Sequence, residues 1–187
     1  GGDAAAIVRD HLRPGSVSHA FINFPEPPSG YQGIETASNE LHLLTAAFFT
    51  DLHRVLAPTN SRLTILSDNG RYCRALCATI GGLKGSGGKA LFASEQIDGP
   101  EYETLSGVRL YYGVPGSECG HLQAEQSYFD RLWEYRQGAE TERFFMALRR
   151  LAPSSSTPLA QEVIEHFPSL SSVTLILLSS VAVSEAT

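Results

Sequence analysis

The sequence is short of positive charge. Its 187 residues include 14 Lys and Arg against 20 Asp and Glu, which gives a formal net charge of −6. Proteins that bind nucleic acid by themselves gain most of their affinity from Lys and Arg side chains facing phosphates. The composition therefore argues against independent nucleic-acid binding, although it leaves room for a local basic patch.

The sequence also has few cysteines and no long apolar run. Cys73, Cys77 and Cys119 are an odd number and lack the paired spacing of a zinc site. They predict reduced thiols and no metal in an intracellular protein, cytoplasmic or nuclear. The apolar run 173–183 is too short to cross a bilayer and contains serines. We expect neither a secretory signal peptide nor a membrane-spanning segment.

What the sequence does contain is the composition of a folded protein. Hydrophobic residues make up 42% and charged residues 18%, which is typical of globular rather than disordered chains. The length suits one domain better than two. We divide the chain into an α/β domain over residues 1–151 and a tail over residues 152–187, which consists of a Ser/Pro linker, a helix and a strand.

Two apolar runs with a helical pattern between them organise the α/β domain. Residues 17–24 and 62–66 are predicted to form buried strands, and residues 41–56 have the apolar spacing of a helix. An acidic residue follows each strand: Glu26 follows the first and Asp68 the second. Ligands bind outside the carboxyl ends of the strands in open α/β sheets. These two carboxylates are therefore the first candidates for a functional site.

The rest of the pattern predicts an α/β fold with a mainly parallel sheet. Further helices are predicted over residues 3–12, 70–80 and 159–167. Further strands are predicted over residues 90–93, 107–114, 142–151 and 173–183. The glycine-rich stretch 81–88 lacks the Gly-Lys-Ser/Thr ending of a phosphate-binding loop, so it predicts a turn.

Four short segments occur in a recognisable order along the chain. They are Phe24-Pro25-Glu26-Pro27, His42-Leu43-Leu44-Thr45, Leu66-Ser67-Asp68-Asn69 and Ser127-Tyr128-Phe129-Asp130. In order and spacing they resemble the core of the tRNA (guanine-N7)-methyltransferase family. The resemblance extends over residues 2–149.

The resemblance implies a Rossmann-like fold that binds S-adenosylmethionine, with this chain corresponding to its carboxyl-terminal half and the amino-terminal cofactor-binding half missing. It implies a mainly parallel sheet with late antiparallel strands. It assigns a catalytic and cofactor-binding role to Glu26 and a cofactor-binding role to Asp3. Asp68, Ser127 and Asp130 would bind the substrate, a tRNA. The reaction would be a direct displacement that moves a methyl group from the sulfonium to guanine N7.

Departures from the family pattern support an alternative function. Glu26 replaces the family's Asp, Pro28 replaces Trp, and Ser29-Gly30-Tyr31-Gln32-Gly33 replaces a basic run. The glycine-rich cofactor loop has no counterpart, so we expect weak binding of S-adenosylmethionine or none. The alternatives are a non-catalytic binding or scaffold protein that keeps the fold, and a methyltransferase acting on a different, uncharged substrate.

Each candidate acid also has a purely structural interpretation. Asp3 and Asp68 precede predicted helices, where Asp is a common N-cap, and Glu26 could be an ordinary loop residue. The half-sheet would also have an open edge, which favours pairing with another strand. We expect a homodimer, a partner subunit or the chain's own tail strand to cover that edge.

Overall fold

The computed structural model describes residues 3–27, 43–120 and 142–152, together with the backbone of residues 173–178. Its helices are α1 (Ala4–Ala6), which continues into a π-helical turn (Ile7–His11), α2 (Ala46–Val55) and α3 (Gly70–Gly82). Its strands are β1 (Val17–Asn23), β2 (Arg62–Ser67), β3 (Phe92–Ser94), β4 (Tyr102–Leu105), β5 (Val108–Tyr112), β6 (Phe144–Arg150) and β7 (Val173–Leu178). The predicted α/β class is confirmed.

The seven strands form one sheet in the order β4-β5-β6-β2-β1-β7, and β3 also pairs with β6. Strand β1 is parallel to β2 and to β7, whereas the β2–β6, β3–β6, β4–β5 and β5–β6 pairs are antiparallel. The prediction of a mainly parallel sheet is therefore wrong. The predicted late antiparallel strands are confirmed for β4, β5 and β6, whereas the last strand, β7, is parallel to β1. The error arises at β6, because an apolar run indicates burial but not strand direction.

The larger hydrophobic core lies between helices α2 and α3 and one face of the sheet. It takes alternate residues of the strands, such as Ala20 and Ile22 of β1 and Leu63 and Ile65 of β2, as expected for strands whose side chains point to opposite faces. A smaller core on the opposite face includes Leu66, Tyr111, Cys119, Phe145 and Ala147. The sheet is thus packed on both faces within the described residues.

Helix α2 begins later than the sequence predicted. Its N-cap is Thr45, whose hydroxyl accepts a hydrogen bond from the amide of Phe48 at 3.1 Å. An N-cap residue has extended backbone geometry, so the helix cannot continue backwards through it. Leu43 and Leu44 are non-helical, and residues 41 and 42 lie outside the described residues.

Strand β4 was not predicted. It forms a hairpin with β5 through a two-residue turn in which Ser106 and Gly107 both have positive φ, 51° and 80°. Positive φ at both central residues matches the twist of a hairpin. The predicted turn in the glycine-rich stretch is confirmed, since an isolated bridge joins Lys84 to Ala90 around it.

Strand β7, from the predicted tail, covers one edge of β1. The parallel register runs from Val17↔Val173 to Asn23↔Leu178. The expectation that the tail strand covers this edge is therefore confirmed. The homodimer and the partner subunit stay predictions, and the predicted helix over residues 159–167 lies outside the described residues.

Candidate functional site

The carboxyl ends of β1 and β2 meet at one edge of the sheet. Their parallel register reaches Asn23↔Leu66, and the amide of Phe24 donates a hydrogen bond to the carbonyl oxygen of Leu66 at 2.7 Å. Neighbouring strands lie about 4.8 Å apart, so the segments carrying Glu26 and Asp68 leave the sheet side by side. The two strands that Glu26 and Asp68 follow are therefore parallel neighbours in the sheet, and a shared cleft for the two carboxylates stays a prediction.

Glu26 lies in a short proline-bracketed segment beyond β1. Its side chain is exposed, whereas the preceding Phe24 and Pro25 are buried. Phe24 has a φ of 49°, which is rare for a bulky residue. The buried residues fix the start of this segment and leave the Glu26 carboxylate facing solvent, where an ionised carboxylate offers acceptor oxygens only.

Asn69, and not Asp68, is the N-cap of α3. The Asn69 side-chain oxygen accepts from the amide of Tyr72 at 2.9 Å, and the Asn69 amide donates to the hydroxyl of the buried Ser67 at 3.1 Å. The structural interpretation of Asp68 as the cap is therefore wrong. The half-buried Asp68 carboxylate stands one residue before the cap, at the same edge as Glu26.

Asp3 is the N-cap of α1, as its structural interpretation predicted. Its carboxylate accepts from the amide of Ala5 at 2.9 Å, and the residue is exposed. The cofactor-binding role of Asp3 stays a prediction. Ser127 and Asp130, the other two candidates for substrate contact, lie outside the described residues.

The turn that leads toward Ser127 and Asp130 is attached to the second face of the sheet. Thr64, fully buried on β2, donates to the carbonyl oxygen of Cys119 at 3.3 Å, and Arg62 donates to the carbonyl oxygen of Glu118. These bonds hold the turn Ser117–Cys119 against β2. This turn, at the end of the described range 43–120, is therefore held in place by β2.

His19 on β1 contacts Thr64 on the same face of the sheet. His19 was not singled out from the sequence as a functional residue. Its Nε2 lies 3.0 Å from the Thr64 hydroxyl, and its ring stacks on Phe21 at 3.8 Å between centroids. Burial, helped by the positive charge of Arg62, lowers the pKa of His19 to about 4. The ring is therefore neutral near pH 7. The sequence did contain a signal for this residue, because His19 is a polar residue within the otherwise apolar run of β1.

Two arginines of α3, Arg71 and Arg74, lie in the part of the helix that follows Asp68, and one of them forms an ion pair within the protein. Arg74 pairs with Glu103 at 2.8 Å and also contacts the hydroxyl of Tyr112 at 3.4 Å. Arg71, in the first turn of α3, is exposed. Of these two arginines, Arg71 is the better placed to meet a phosphate.

The cysteines do not provide a nucleophile. All three are buried and free, and burial is the main cause that raises the pKa of Cys73 and Cys77 to about 12 and of Cys119 to about 11. A thiol is a good nucleophile only as a thiolate. Across the described residues, no cluster of His, Cys, Asp and Glu side chains is suited to hold a metal ion.

No protein-family model matches this sequence, and no curated protein matches it. The family resemblance therefore stays a prediction that depends on the order of the motifs. In the part of the chain that the structure describes, no helix has the length and apolar character needed to cross a membrane.

Proposed function

We propose that the chain is a diverged or partial S-adenosylmethionine-dependent RNA methyltransferase, similar to the tRNA (guanine-N7)-methyltransferases. The observation that carries the proposal is the parallel β1–β2 edge, where Glu26 and Asp68 follow adjacent strands. This is the position at which open α/β sheets bind ligands. The motif order along the chain supplies the choice of guanine as the ligand.

The chemistry of the edge suits the donor side of a guanine. The carboxylates of Glu26 and Asp68 offer acceptor oxygens, and the Watson–Crick edge of guanine presents N1–H and N2–H donors. Hydrogen bonds from these donors would orient the base so that N7 faces the methyl donor. Such positioning is the enzyme's main contribution to a direct displacement.

The described residues do not form a complete site for S-adenosylmethionine. The Asp3 carboxylate accepts from the amide of Ala5, and the glycine-rich stretch near Lys84 closes a turn instead of opening a helix. We therefore assign guanine binding, and no step of methyl donation, to the residues of this edge.

The proposal is tested by titrating the chain with guanosine, using calorimetry or NMR. Glu26→Gln and Asp68→Asn should each weaken binding about tenfold, because a hydrogen bond to a charged group contributes about 1.5–3 kcal/mol. The matched controls are Glu101→Gln and Asp98→Asn, which change exposed acids that follow neither β1 nor β2. Equal binding by all four variants would contradict the proposal.

A non-catalytic binding or scaffold protein is the second candidate. Two observations favour it: Arg74 is paired within the protein, and residues 25–39 contain no Lys, Arg or His. This candidate predicts a folded chain that binds neither guanosine nor S-adenosylmethionine. Micromolar binding of S-adenosylmethionine would exclude it and would also contradict our expectation of weak cofactor binding.

A further inference from the structure

Asn23, the last residue of β1, has an unsatisfied side-chain oxygen. Its Oδ1 atom is fully buried and has no hydrogen-bond partner in the described part of the chain. Buried polar atoms nearly always have a partner, so each exception needs an explanation. By contrast His19, four residues earlier on the same strand, lies within hydrogen-bond distance of Thr64.

The position of Asn23 calls for an apolar residue on structural grounds. Asn23 pairs with Leu66 of β2 on one side and with Leu178 of β7 on the other. Strands in the middle of a parallel sheet are usually apolar throughout. The Asn23 carboxamide is thus a polar group at a position where the fold favours an apolar one. Residues that do not fit the fold in this way are expected at functional sites.

The next residue adds a second unfavourable feature. Phe24 has a φ of 49°, and backbone held in such sparsely populated regions clusters at ligand-binding and switch segments. Both features lie directly before Glu26, at the edge where the proposed ligand binds. The end of β1 therefore combines an unsatisfied buried oxygen with an unfavourable backbone conformation.

We propose that Asn23 is a guanine-recognition residue of the Glu26–Asp68 edge, and that its side-chain oxygen gains its hydrogen bond when residues 24–27 shift on ligand binding. The inference rests on the proposed function. A shift is required because the oxygen is buried and a ligand could not otherwise reach it. The free oxygen is an acceptor, so its partner is an N–H group of the base.

The test uses Asn23→Leu, which has a similar size but no polar atoms. In the ligand-free chain it should raise the Tm by about 2–4 °C, because it removes an unsatisfied acceptor in a protein of this length. It should also weaken guanosine binding about tenfold, the effect of one lost hydrogen bond. Asn23→Asp keeps an acceptor of the same shape, so its guanosine affinity should stay within about threefold of the original.

Ser61→Ala is the control for the loss of a buried polar group at the other end of β2. The buried Ser61 hydroxyl donates to the carbonyl oxygen of Ala57 at 2.6 Å, so its loss should lower the Tm and leave guanosine affinity unchanged. A Tm for Asn23→Leu at or below that of the original chain overturns the inference. A raised Tm with unchanged guanosine affinity overturns it as well.

The two proposals fail in different measurements. If the original chain does not bind guanosine, the proposed function has failed, and the role of Asn23 in guanine recognition fails with it. If the original chain binds guanosine and Asn23→Leu binds it equally well, only the inference about Asn23 has failed. The exchange rate of the Phe24 amide, which donates to Leu66, should change on guanosine addition if residues 24–27 shift.

Discussion

Gly81, in the last turn of α3, lies directly against the backbone of Ser106 in the β4–β5 hairpin turn. A Cβ atom placed on Gly81 would overlap the carbonyl oxygen of Ser106 and would lie 2.7 Å from its Cβ. The next residue, Gly82, has nothing within 4 Å of such an atom. Two adjacent glycines of one helix are thus in opposite environments.

We expect Gly81→Ala to lower the free energy of unfolding by about 1–3 kcal/mol, the usual cost of overpacking a close contact. The Ser106 backbone has a φ of 51° within a tight turn, so it has little freedom to move away. Gly82→Ala is the control and should be neutral or stabilising by up to about 1 kcal/mol, because Ala is the better helix former. Urea unfolding of both variants measures the difference. Equal stabilities would contradict the close packing of α3 on the hairpin.

The N-cap of α3 gives a second prediction. Asn69→Ala removes the acceptor for the Tyr72 amide and should cost about 1 kcal/mol. Asp68→Ala changes a half-buried acid that does not cap the helix, so it should cost clearly less. Thermal unfolding of the two variants separates the roles. If Asp68→Ala were the more destabilising, Asp68 would have a structural role that its position does not show.

A third prediction concerns acid stability. The pKa of His19 is lowered from 6.5 to about 4 by burial and then by Arg62, so the folded state binds a proton on this ring less readily than the unfolded state. The free energy of unfolding therefore has its full contribution from the neutral His19 ring above about pH 6.5, and this contribution is lost as the pH falls toward 4. His19→Gln keeps a donor for Thr64 and should lose less stability over this range.

Unfolding of the two proteins should be compared at pH 7, 5.5 and 4. The pKa of His53 is also lowered by burial, but His53 is common to both proteins and cancels in the difference. A difference that does not vary with pH would show that His19 titrates normally.

Much of the fold could be predicted because its central elements have strong patterns. Strands β1, β2 and β6 are apolar runs, and α3 begins at Gly70, as the sequence predicted. Strand β4 of the β4–β5 hairpin was not predicted, because apolar and polar residues alternate only weakly over Tyr102–Leu105. The Ser106-Gly107 turn signal was present in the sequence, since Ser-Gly is a known turn dipeptide.

The candidate site was predictable to a different degree. Glu26 and Asp68 could be placed at one edge because both follow strands that the chain order makes parallel neighbours. The choice of Asn69 over Asp68 as the cap could not be predicted, since both residue types cap helices equally well. The unsatisfied oxygen of Asn23 depends on which strands flank β1, and the sequence does not specify β7 as one of them.

The last prediction concerns tRNA. Affinity for RNA falls with salt by a slope of roughly −0.7 to −0.9 per neutralised phosphate, so several cations must act together to bind tRNA at physiological salt. The net charge is −6 and residues 25–39 contain no Lys, Arg or His. Near the edge, Arg71 and Arg74 are both exposed. Arg74 is paired with Glu103, whereas Arg71 forms no ion pair with another described residue.

We therefore expect no measurable tRNA binding by this chain at physiological salt in a gel-shift assay. Any binding at low salt should show a slope no steeper than about −1, the value for one cation. Arg71→Ala should abolish it and Arg71→Lys should retain it, because a phosphate contact needs the charge more than the guanidinium shape. Arg74→Ala should instead act mainly on stability, through the lost contacts to Glu103 and Tyr112. Tight binding that survives Arg71→Ala would place the RNA surface elsewhere and would favour the methyltransferase over the scaffold.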